Sequence, residues 1–64
     1  MALLDMTAVL TLALPVVGRR PALERVCLAA DIGIVQAVWR EIAQHPGRDA
    51  DVVRAFIDTG DIVV

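Results

Sequence analysis

The sequence predicts an all-α fold, a small bundle of three to four short helices completed by oligomerisation. Three observations carry that expectation. Segments dominated by Leu, Ala and other aliphatics are cut apart by Pro and Gly. Apolar residues recur at helical spacing in the later segments. The chain is 64 residues long and 58% apolar, with no internal staple.

The first segment runs from Asp5 to Leu14. Asp5 can cap a helix and Pro15 ends it. The run Thr7-Ala8-Val9-Leu10-Thr11-Leu12 would pass as a strand on propensity, but the dominance of Leu and Ala favours helix. The second segment starts at Pro21, a preferred first-turn residue, and runs to Ala30 with Leu23, Val26, Cys27 and Ala30 on one face. The third covers Ile34 to Gln44, with Ile34, Val35, Val38, Trp39 and Ile42 apolar. Gly33 separates the second and third segments, or lies inside one long helix from Ala22 to His45 at about 1 kcal/mol relative to Ala. The fourth opens after Pro46-Gly47, with Asp49 as its cap, a stripe of Val52, Val53, Phe56 and Ile57, and Gly60 as its C′ residue. The tail Asp61-Ile62-Val63-Val64 is aliphatic enough to dock, as a short strand for example. No internal repeat or low-complexity tract is visible, and residues 1–64 read as one small domain.

Chemistry is sparse. The chain has no serine, one cysteine and one histidine, so a disulfide, a zinc site and a serine nucleophile are all missing from its repertoire. Cys27 and His45 stand eighteen residues apart and read as a buried thiol and a helix-end histidine rather than a nucleophile and base. Asp49 and Asp51 beside His45 are accounted for by helix starts without a metal. The expectation is a non-enzyme with no catalytic, metal or cofactor residues.

Six Arg against eight Asp and Glu give a net charge of −2, and the isoelectric point is near 5.0. Such a balance gives no general attraction to nucleic acid. The stretch from Met1 to Val17 is apolar but holds Asp5, Thr7, Thr11 and Pro15, and is short of the roughly 20 residues a spanning helix needs. It also lacks the basic start of a secretory signal. A cytoplasmic setting agrees with a single unpaired cysteine. Association of Met1 to Val17 with a membrane surface is a third reading.

Two functions are weighed. The first is a protein–protein interaction and self-association module, an adaptor or assembly domain. Its partner would be another copy or a larger parent assembly. It would use Leu10, Leu12, Leu14, Trp39, Phe56 and Ile57, with Arg19 and Arg20 set against Asp58 and Asp61. The second is a helix-turn-helix regulator. Ala29 stands four residues before Gly33, Leu28, Ile32, Ile34, Trp39 and Ile42 supply its apolar positions, and Gln36, Arg40 and Gln44 would face the DNA. Its surface offers one arginine beside Glu41, a weak electrostatic footprint for phosphate. The interaction module is the expectation.

Overall fold

The computed structural model describes residues 1–64 and is mixed α/β. It contains β1 (Ala2–Leu3), α1 (Met6–Ala13), β2 (Val16–Val17), β3 (Arg20–Pro21), α2 (Ala22–Ala29), β4 (Ile32–Gly33), α3 (Gln36–Gln44), α4 (Arg48–Asp58) and β5 (Ile62–Val63). β1, β4 and β5 form one parallel sheet with β4 in the centre, and β2 and β3 form a separate hairpin.

This overturns the all-α expectation. The physical reason lies in Ile32-Gly33-Ile34 and Ile62-Val63-Val64, which are β-branched runs. They extend, and pairing in a parallel sheet supplies their hydrogen bonds while Ile32 and Ile62 are buried. Gly33 sits in the central strand, neither within a helix nor at a turn. A Cβ there would collide with Met1 Sδ, so the glycine leaves room for the Met1 side chain beside the central strand. The single long helix from Ala22 to His45 is excluded, because Ala30 already has φ −157 and ψ 158. The helix-turn-helix geometry is not formed either. A strand separates α2 from α3, and the principal helix pairs are α1 with α4, α1 with α2, and α3 with α4.

Helix ends follow capping rules. The Asp5 side chain accepts from the Ala8 N–H at 2.8 Å, as its position predicts. Gly60, with φ +84, closes α4: its N–H bonds to Ile57 O, and the next N–H, Asp61, bonds back to Phe56 O at 3.0 Å. That pair of bonds is a Schellman motif. The N-cap of α4 is Gly47 rather than Asp49, which lies in the first turn. Arg54 does not pair with Asp58. Its guanidinium donates to the Ile42 and His45 carbonyls at the end of α3 and to the Asp51 carboxylate. It thus satisfies orphan carbonyls of α3 from α4. Arg54→Ala is expected to lower stability by about 1–3 kcal/mol, read from urea unfolding. A loss of less than about 0.5 kcal/mol would show that the guanidinium does not hold the two helices together.

The core is Val9, Ala13, Leu23, Ile32, Ile34, Ile42, Val53 and Ile62. It lies between the sheet and the helices that cover it, with α1 and α4 making the broadest helix contact.

The strand register exposes an order that residue identities conceal. Ala2 lies opposite Ile32, and Ile32 opposite Ile62, a step of 30 residues each time. The same step carries α1 (6–13) onto α3 (36–44), and α2 (22–29) onto the body of α4 (48–58). The molecule is therefore two strand–helix–helix units, residues 2–31 and 32–61, followed by the first strand of a third. This corrects the reading that the chain has no repeat. Only Ala13/Ala43, Asp31/Asp61 and Ile32/Ile62 are identical between successive units. The repetition survives as pattern, with Leu12 matching Ile42, Leu23 matching Val53, and Cys27 matching Ile57.

Candidate interaction surface

Apolar side chains are exposed mainly where the repeat stops and on its hairpin. At the β1 end, Met1 is exposed and Leu3 is 62% exposed, and Leu28 on α2 reaches 82%. At the β5 end, Val35, Val63 and Val64 are about half exposed. Val16 and Val17 on the hairpin are exposed as well. Its two-residue turn, Gly18-Arg19, relies on the left-handed φ of +70 at Gly18.

The residues expected to bind a partner are distributed unevenly. Leu10, Leu12, Trp39, Phe56 and Ile57 are half-buried and pack against the core, so most of their apolar area is already used within the chain. Leu14, just past α1, is exposed. Arg19 and Arg20 are exposed on the hairpin, but Arg20 pairs with Glu24 at 2.9 Å rather than with a C-terminal carboxylate. Asp58 and Asp61 are exposed, and Asp61 accepts from the Thr59 hydroxyl at 2.9 Å. Gln36, Arg40 and Gln44 form an exposed polar stripe along α3.

Two open clefts mark the surface. One is lined by Arg19, Arg20 and Arg25 with Glu24 among them, beside Val17 and Leu28. The other runs past Met1, Cys27, Asp31, Gly60, Asp61 and Val63. Asp31 and Asp61 occupy equivalent places, each just before a strand of the sheet. No group of three or more His, Cys, Asp or Glu side chains is arranged to hold a metal ion. No hydrogen bond links Cys27 to His45, whose ring Nδ1 lies 2.7 Å from the Pro46 carbonyl. No helix is long and apolar enough to cross a membrane.

Burial pushes the Cys27 thiol above its ordinary value, and the carboxylates of Asp61 and Glu24 push it the same way. The thiol is therefore held protonated where a nucleophile would need a thiolate. The sign of the linked pH effect follows. Once the pH exceeds the ordinary thiol value, the unfolded chain loses this proton while the folded chain keeps it, so stability falls as pH rises. Unfolding followed from pH 8 to about 10.5 should show that decline in the native chain and less of it in Cys27→Ala. Equal slopes in the two would remove Cys27 as its source.

Sequence reasoning missed Leu3, Leu28 and Ala43 as candidate surface residues. Their exposure in the folded chain finds them, and the 30-residue register of the strands adds that Ala43 is the counterpart of buried Ala13. No protein-family model matches the chain, nor does any curated protein or solved structure.

Proposed function

We propose that this protein is a non-catalytic interaction module whose principal partner is another copy of itself. The observation that supports this most is the exposure of Met1, Leu3 and Leu28 at one end of the repeat and of Val35, Val63 and Val64 at the other. In so small a chain these are the surfaces whose removal from water would add most to stability, at about 25 cal/mol per Å² of apolar area. The free thiol of Cys27 fits a reducing compartment such as the cytoplasm.

Light scattering on the eluting protein tests the reading. At concentrations on the order of 100 micromolar the mass should exceed the 6.9 kDa of one chain and fall on dilution, as mass action requires. A constant monomer mass across the whole range would overturn it.

A further inference from the structure

The two edge strands of the sheet are equivalent in position but not in strength. Ala2 of β1 and Ile62 of β5 lie 30 residues either side of Ile32, and both pair with it. β1 holds its place loosely: Met1, Ala2 and Leu3 are exposed, and Leu4 beyond them is half-buried. β5 brings Ile62, which is 1% exposed, and the two valines after it. β-branched side chains suit a strand better than Ala and Leu do.

The open edge of β5 presents what β1 gives to β4. The N–H groups of Ala2 and Leu4 donate to the Asp31 and Gly33 carbonyls at 2.8 and 3.0 Å. On β5 the Val63 carbonyl accepts from Ile34 N–H at 2.9 Å, so Val63 faces its own β4. Backbone groups alternate in direction along a strand, and the N–H groups of Ile62 and Val64 therefore point out from the open edge. Two steps of 30 residues place Ile62 on Ala2 and Val64 on Leu4, with the strands parallel throughout. In direction and in donors, β5 can stand where β1 stands.

The helices call for the same substitution. Val9 and Ala13 on α1 are buried, and the helix that α1 meets most broadly is α4, the second helix of the next unit. Their counterparts on α3 lack such a neighbour: Trp39 is half-buried and Ala43 is exposed. Laying α2 of a second copy on α3, as α4 lies on α1, shifts that copy along by two units. The shift superposes its β1 on β5 of the first copy, and one place cannot hold two strands.

We propose that β5 of one copy displaces β1 of another and pairs with the β4 that β1 leaves, so that α2 of the second copy covers Trp39 and Ala43 of the first. This rests on the self-association reading and specifies its mechanism, a donor-strand exchange rather than the addition of a strand to a free edge. The backbone bonds balance. Ile62 and Val64 donate to Asp31 and Gly33 of the second copy in place of Ala2 and Leu4, while the other edge of β5 keeps its own β4. The cost is the release of Ala2 and Leu3, which are exposed already, and of half-buried Leu4, whose place Val64 takes. The gain is the burial of the α3 face and of the β5 edge. Donor strand and vacated place are different surfaces of the chain, so the association is heterologous and open-ended.

Sedimentation velocity on substituted chains tests the exchange, because loosening β1 should promote it. Ala2→Pro removes a bond that holds β1 on its own β4, and should associate at a concentration about three- to tenfold below that of the wild type. Leu3→Gly, which loosens β1 through backbone entropy, replaces it if the proline variant does not fold by circular dichroism. Val64→Pro removes one of the two donors that β5 must offer, and should stay folded and monomeric where the wild type associates. Ala43→Arg sets a charge on the face of α3 to be covered, and should do the same. A β1-loosened variant that associates no more readily than the wild type overturns the exchange. So does a Val64→Pro or Ala43→Arg chain that associates as the wild type does. In each of these cases wild-type association still supports the broader reading, whereas a wild type that never associates overturns both.

Discussion

Ile42→Ala should leave the chain marginally stable at room temperature, with a substantial unfolded population. Ile42 is fully buried, on the inner face of α3 within the cluster that also holds Ile34, Val53 and Ile62. Emptying such a site costs about 2–5 kcal/mol, the removed methyl groups and the residual cavity together. A single core of this size supplies little more than about 3–5 kcal/mol in all, so one truncation consumes most of the margin. The helical circular dichroism signal should drop and the thermal transition should broaden or disappear. A melting temperature within a few degrees of the native chain would mean that Ile42 does not anchor the core.

The second large effect is a contrast between two alanines. Ala13 and Ala43 are the same residue at equivalent positions, the first 1% exposed in the core on a helix that packs against α4, and the second exposed. Ala13→Arg must either bury an unpaired guanidinium or prise α4 away from α1, and should cost several kcal/mol. Ala43→Arg in dilute solution should change stability by no more than about 0.5 kcal/mol. Urea unfolding of the two variants side by side measures the difference. Similar losses in both would contradict the burial of Ala13 and the exposure of Ala43, which is all that separates the two sites.

How much of this was legible in the sequence depends on the length of each feature. The helices were visible because capping residues and apolar spacing extend over eight or more positions: Asp5 and Pro15 frame α1, and Gly60 closes α4. The strands were not, because two residues cannot display an alternating pattern. Ile32-Gly33-Ile34 read equally well as a helix start or the turn of a helix pair, and only pairing with Ala2 and Ile62 decides between them. Ile62-Val63 was legible as a docked tail, but its partner strand was not.

The candidate surface divides on the same lines. Phe56 and Ile57 suggested a binding stripe by their spacing, yet the core uses most of that stripe. Leu3 and Ala43 gave no local signal. Their significance comes from which neighbour is missing, and a sequence does not state where a neighbour should be. The repeat escaped notice for a related reason. The inward positions keep their apolar character rather than their identity or size, so Val9 and Trp39 are equivalent without resembling each other.

The segments joining the two helices of each unit differ more than anything else between the units. In the first, residues 14–21 hold the hairpin of β2 and β3, with Val16, Val17 and Arg19 exposed along it. In the second, the same window holds His45-Pro46-Gly47 and the opening turn of α4. Both leave the three-stranded ladder in the same register. The scaffold therefore separates what must be conserved from what is free to diversify: the ladder fixes the spacing of successive units, while the interhelical segment can be replaced without disturbing it. Grafting a different loop between Leu14 and Ala22 is the point at which this architecture could acquire a new recognition specificity.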